Sequence, residues 1–325
     1  MRRLRQIRFQ AATFFLSFVS TAVSAAEPRE ITVQTADGAR RAIVVDDAVG
    51  SAPRPVVLLF HGHGGSAEQA LGTRGLAPSP LASWQDIAHR EGLIVVALDG
   101  LRGADRQRGW NDCRDDAANN PPSDDVAFAR AIVAKLQREA HADPARIYAM
   151  GMSNGAMMVF RLGLQMPELA AFAAVSGSMA AMSRCPEPPR AEVAALIISG
   201  DADPLVPFDG GQVGFHNTSP RGDVVAVPEA YARWAQAHGH DPSSSTQQLM
   251  PARLPGDATA AKLRYPGPTL EQSDVALVRI AGGGHVEPSI VHRYGKLYLR
   301  LVGPQSSAFE SAELAWEFFK AKRRP

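Results

Sequence analysis

The chain of 325 residues is 45% hydrophobic and 21% charged, with 34 Lys+Arg against 33 Asp+Glu. That length suits one large α/β domain with a covered sheet, and the apolar share excludes a disordered chain. A formal charge of +1 excludes the basic surplus that nucleic-acid binding needs, and two cysteines are too few for a disulfide scaffold or a four-thiolate zinc site.

Residues 1–26 read as a secretory signal. Arg2, Arg3, Arg5 and Arg8 form a basic start, Ala11 to Val19 a short apolar run, and Ala22, Ser24, Ala25 and Ala26 a small-residue cleavage region. The apolar run falls short of the roughly 20 residues that span a bilayer. Its removal takes four of the 34 basic residues and none of the 33 acidic ones, leaving a mature chain with a formal charge of −3. The expected destination is secreted or periplasmic, with no membrane association after cleavage. In such an oxidising compartment Cys113 and Cys185 are expected to form a disulfide, the alternative being two separate buried thiols.

From residue 27 onward short β-branched runs alternate with helical patterns, the signature of a mostly parallel sheet. Strands are expected at Ile31–Thr35, Ala42–Asp46, Val56–Phe60, Leu93–Leu98, Arg146–Met150, Phe172–Val175, Leu196–Ser199 and Val275–Ile280. Helices are expected at Leu81–Arg90, Asp125–Glu139, Asn154–Gln165, Pro228–Ala237 and Ser311–Lys322, with Asp124 capping the second. Gly100–Ser123 and Phe208–Asp223 read as long loops, and the polar stretch Asp241–Asp274 as an insertion with a hairpin around Tyr265. No linker divides residues 27–325, so one domain is expected.

The chemistry concentrates at strand ends. Gly151-Met152-Ser153-Asn154-Gly155 is a G-x-S-x-G pattern between a strand and a helix. The turn there is so tight that its flanks must lack side chains, and it lifts the serine hydroxyl to a helix N-terminus that favours negative charge. A nucleophilic serine needs a base oriented by an acid, and in the α/β-hydrolase arrangement these follow in the order Ser, Asp, His. Asp203 is the expected acid, with Asp201 as fallback. His285, after Gly282-Gly283-Gly284, is the expected base, with His292 as competitor. Strand Val56–Phe60 runs into His61-Gly62-His63-Gly64-Gly65, where this fold places its oxyanion loop. The expected oxyanion donors are the backbone N–H groups near His63 and of Asn154. No dinucleotide fingerprint or P-loop appears, and neither metal nor cofactor is required.

Together these segments resemble secreted polyhydroxybutyrate depolymerase-like esterases, a group close to the feruloyl and acetylxylan esterases. The matching stretches are His61–Gly65, Gly109-Trp110-Asn111, Asp124–Phe128, GMSNGAMM at 151–158, GDADPLVP at 200–207 and Gly282–His285. The resemblance implies an α/β-hydrolase fold, a mostly parallel central sheet of about eight strands with helices on both faces. It also implies Ser153 as nucleophile, Asp203 as acid and His285 as base. It places Trp110 near the acyl or alcohol pocket, where the ring could stack on a sugar or an aromatic acid or simply pack under the loop, with a Cys113–Cys185 bridge beside it. The expected partner is a small-molecule or oligomeric ester: a hydroxyalkanoate, or a feruloylated or acetylated sugar. Extracellular polymer depolymerases usually carry a separate substrate-binding domain, and none is expected within residues 27–325. Two other readings compete: a secreted serine peptidase of the same fold, with Asp115 and Asp116 holding a peptide N-terminus, and a catalytically silent binding protein.

Overall fold

Alternation along each strand decides which side of a sheet a residue packs on. In Arg54–Phe60, residues Val56, Leu58 and Phe60 join one apolar cluster while Val57 and Leu59 join another. The computed structural model describes residues 27–46, 51–74, 79–185, 188–215 and 221–324. The expected signal, residues 1–26, lies outside them.

Ten strands make one sheet: β1 Arg29–Thr35, β2 Gly38–Asp46, β3 Arg54–Phe60, β4 Ile94–Leu98, β5 Ala142–Met152, β6 Leu169–Val175, β7 Ala194–Gly200, β8 Thr246–Pro251, β9 Ala260–Tyr265 and β10 Val275–Ala281. Their spatial order is β1-β2-β4-β3-β5-β6-β7-β10-β9-β8. The six from β4 to β10 run parallel. Every residue of β3, β4, β6 and β7 is buried, as strands covered on both faces must be.

The count of about eight strands is corrected to ten. The two additional strands are the antiparallel hairpin β8–β9, which extends the sheet beyond β10. Its outer strand is mostly exposed and Gln-rich, so it lacks the apolar run that marks a buried strand. The hairpin turn lies between Pro251 and Ala260, and Tyr265 ends a strand instead of sitting at the bend.

Helices cover both faces. One layer contains α2 Asp125–Glu139, α3 Asn154–Gln165 and α4 Val227–Ala237. The other contains α1 Trp84–Glu91 and α6 Ser311–Phe319, while α5 Lys296–Val302 is largely exposed. Asp124 caps α2 as expected, its side chain accepting from Ala127 N–H. Beneath α2, Arg40 and Asp125 form a fully buried ion pair at 2.8 Å, with the Arg40 guanidinium 4.1 Å from the Phe128 ring centroid.

Cys113 and Cys185, 72 positions apart in the chain, are joined in a disulfide with Cα atoms 5.6 Å apart. A loop of that length closed by a cross-link is worth about 4 kcal/mol on the chain-entropy account. Replacing both cysteines by alanine is therefore expected to lower Tm by about 8 °C at neutral pH, measured by calorimetry against the oxidised protein.

Candidate active site

Four segments leave the parallel strands at the same sheet edge: the loops after β3, β5, β7 and β10. Carboxyl ends of parallel strands are the usual place for ligand chemistry in open α/β sheets.

The turn after β5 is sterically committed. Ser153 has φ +57°, a conformation that residues with a Cβ rarely adopt, and α3 begins at the next residue. A Cβ on Gly151 would sit 2.1 Å from the Gly155 carbonyl oxygen, and one on Gly155 would sit 2.2 Å from that of Phe60. Both flanking glycines are thus required by contact with backbone. The strained serine is held by its N–H, which donates to Val175 O at 2.9 Å.

Ser153 Oγ lies 2.9 Å from His285 Nε2, and His285 Nδ1 lies 2.8 Å from Asp203 Oδ2. Asp203 Oδ1 accepts from the N–H groups of Leu205 and Val206, both at 2.8 Å, which fixes the carboxylate plane. Both Asp203 and His285 are buried. The glycines before His285 let three chain segments pack backbone to backbone: a Cβ on Gly284 would meet Val302 O at 2.2 Å, and one on Gly200 would meet Gly283 O at 2.2 Å. His285 N–H itself donates to Val302 O at 2.6 Å, so α5 anchors the loop.

The fallback residues are occupied elsewhere. Asp201 accepts from Gly282 N–H at 2.7 Å and pairs with Arg279 at 2.9 Å, steadying the start of the histidine loop. His292 takes part in a separate turn, its N–H donating to the Ser289 hydroxyl. Asp115 pairs with the exposed Arg184, and Asp116 accepts from Asp223 N–H, so neither faces the cleft around Ser153.

The loop after β3 faces the nucleophile: a Cβ on Gly62 would touch Ser153 Cβ at 3.5 Å. Among the described residues, the backbone N–H groups of His63 and Asn154 take no acceptor. Asn154 is the first residue of α3, where N–H groups lack intrahelical partners. Its side chain has another task. Asn154 Oδ1 accepts from Trp110 N–H at 2.7 Å, and its Nδ2 donates to Asp112 Oδ2 at 2.7 Å.

Trp110 is the main correction at the site. It is fully buried, its indole N–H donates to His61 O at 2.8 Å, and its ring packs on His61 and Phe60 with centroids 4.9 Å away. It cannot touch a substrate, and it supports the His61–Gly65 loop from beneath. Of the two readings open for this ring, stacking on a substrate and packing under the loop, the structure shows the second.

His61 lies under this loop with its imidazole fully enclosed. Its Nε2 accepts from Gly100 N–H at 3.1 Å, so Nδ1 carries the proton toward Gly62 O at 2.7 Å. Burial pushes its pKa down to about 4. A histidine depressed in the folded state binds its proton more readily when unfolded, so stability falls as pH drops from about 6.5 to about 4. This one group is worth about 3 kcal/mol across that window. The fall of Tm between pH 6.5 and 4 should accordingly be shallower in His61→Gln than in the native chain.

The cleft over Ser153 encloses about 190 Å³. Besides Ser153 and His285, its walls include Ser79, Arg221, Glu287, Tyr294 and Tyr298, none of which the sequence reading singled out. Their signal was faint: Glu287 stands two residues after His285, and Tyr294 and Tyr298 are four apart in a stretch assigned no element. Burial holds the Glu287 carboxyl above the usual carboxylate range, and burial with nearby Arg221 lowers His63.

Residues 82–184, spanning the turn at Ser153, match the prolyl oligopeptidase family. NocK of Nocardia uniformis subsp. tsuyamanensis, provisionally named an esterase, is 30% identical over 82% of this chain and 74% of its own length. The chain belongs to the feruloyl esterase-like α/β-hydrolases. This is a family of carboxylic ester hydrolases. Feruloyl esterase B of Piromyces equi is 28% identical over 73% of this chain, which spans only 40% of that longer protein. The acetyl xylan esterase of Aspergillus awamori superposes with a TM-score of 0.52 at 15% identity, covering 84% of this chain and 98% of that one, a likeness of fold. A disulfide is present, and no described helix is long and apolar enough to cross a membrane.

Proposed function

We propose that this esterase works through a Ser153–His285–Asp203 relay and a covalent acyl-enzyme. The observation that carries the reading is the unbroken hydrogen-bonded line from hydroxyl to imidazole to carboxylate, at 2.9 and 2.8 Å. His285 Nε2 takes the Ser153 proton as Oγ attacks the ester carbonyl, and the carbonyl π electrons move to oxygen. The N–H groups of His63 and Asn154 receive that oxyanion. The tetrahedral centre collapses with loss of the alkoxide, which takes the proton back from His285. Water then repeats the sequence, releasing the acid and restoring Ser153. Throughout, Asp203 keeps the proton on Nδ1 and so keeps Nε2 basic.

The proposal extends to context. Residues 1–26 serve as an export signal, and 27–325 act as one catalytic domain in the periplasm or outside the cell. The disulfide and the continuous sheet from β1 to β10 support this. The substrate is an ester of the hydroxyalkanoate, feruloyl or acetyl-sugar kind, and the small cleft favours single ester units over a folded polymer surface. The test is a panel of p-nitrophenyl acetate, methyl ferulate, acetylated xylan and hydroxybutyrate oligomers. Turnover of at least one natural-type ester besides p-nitrophenyl acetate is expected, and hydrolysis of none would overturn the reading.

A further inference from the structure

Glu287 is an unusual wall for an ester-binding cleft. It is 3% exposed, yet it lines the same cavity as Ser153. Ser79 Oγ donates to one carboxylate oxygen at 3.0 Å and Tyr294 Oη to the other at 3.2 Å. Among the described residues no Lys, Arg or His forms an ion pair with it, whereas buried carboxylates normally have a cationic partner. Arg221, the other charged side chain of the cleft that is not a histidine, lies 3.9 Å from Asp105.

Two phenol rings stand beside this carboxylate. Tyr294 and Tyr298 have centroids 4.9 Å apart at 45°, and both line the cleft. Aromatic faces next to a carboxylate are the arrangement that binds organic cations, since ring quadrupoles and the negative charge act together in a partly desolvated space. A neutral hydroxyl would gain nothing from a full negative charge that an amide could not supply at lower desolvation cost.

We propose that Glu287, Tyr294 and Tyr298 form a subsite for an organic ammonium group, so that the cleft selects esters carrying an amine or quaternary ammonium near the scissile bond. The proposal rests on the esterase reading and adds to it a cationic group on the acyl or alcohol part of the ester. A bound ammonium group then favours the ionised form of Glu287, which burial alone disfavours.

The test measures competitive inhibition of p-nitrophenyl acetate hydrolysis by choline and by its uncharged isostere, 3,3-dimethylbutan-1-ol. The native enzyme should bind choline at least about tenfold more tightly than the alcohol. Glu287→Gln should bring the two inhibition constants within about twofold, and Tyr298→Ala should narrow the gap several-fold. Equal inhibition of the native enzyme by choline and the alcohol overturns the proposal. So does a choline preference that survives Glu287→Gln. If the variant instead slows hydrolysis without changing the ratio of inhibition constants, Glu287 acts through His285 and the subsite is also rejected. Absence of p-nitrophenyl acetate hydrolysis by the native enzyme would be a different result, the failure of the esterase reading itself.

Discussion

Ser153→Ala is expected to lower kcat on p-nitrophenyl acetate by about 10⁴–10⁶-fold while KM changes by no more than about threefold. The hydroxyl contributes little to ground-state binding, and its removal eliminates the acyl-enzyme route. His285→Ala should fall by a similar factor, and the double variant should fall little further, because the pair acts as a unit. Asp203→Asn should cost about 10⁴-fold by presenting the wrong imidazole tautomer. Asp201→Asn separates the two neighbouring carboxylates: it only steadies Gly282 and Arg279, so a loss of less than about tenfold is expected. Steady-state kinetics on the four single variants and the double variant, with circular dichroism to verify folding, provides the check.

Gly155→Ala is expected to be strongly destabilising for a single added methyl group. The new Cβ would lie 2.2 Å from Phe60 O and 2.6 Å from His61 O, and both belong to backbone with little room to yield. Phe60 ends β3, a strand paired on both sides, so relief must come from moving α3 away from the sheet. Overpacking in a tolerant core costs about 1–3 kcal/mol, and a clash with fixed backbone belongs at or beyond the top of that range, about 4 kcal/mol. Tm should drop by about 8 °C or more, read by calorimetry. Residual folded enzyme should also turn over slowly, since the shift carries Ser153 away from His285. A Tm within about 2 °C of the native value would contradict this steric account.

The parts of the protein that local chemistry dictates were legible in the sequence. Glycines at 151 and 155 announce a turn that excludes side chains, and the three glycines before His285 announce a sharp fold, which in the structure also lets the chain pass close to Gly200 and Gly303. Continuous apolar runs announced β3, β4, β6 and β7 because those strands are buried on both faces. The edge hairpin β8–β9 was less legible because exposed edge strands need no apolar pattern. Trp110 stayed undecided between stacking and packing because burial of an indole depends on which loop closes over it, and no spacing rule encodes that. Glu287, Tyr294 and Tyr298 were missed for a related reason. They follow the last central strand in a polar segment, which long-range bonds such as His285 N–H to Val302 O and Gln305 Nε2 to Glu287 O hold against the active site.

The central claim is that one hydroxyl out of many is made nucleophilic by its position. Its most direct test is reaction of the native enzyme with a fluorophosphonate, followed by peptide mapping of the adduct. The account predicts one equivalent bound at Ser153 with parallel loss of esterase activity, and no such adduct in His285→Ala over the same interval. A fully inactivated enzyme whose adduct maps to any other residue would contradict it.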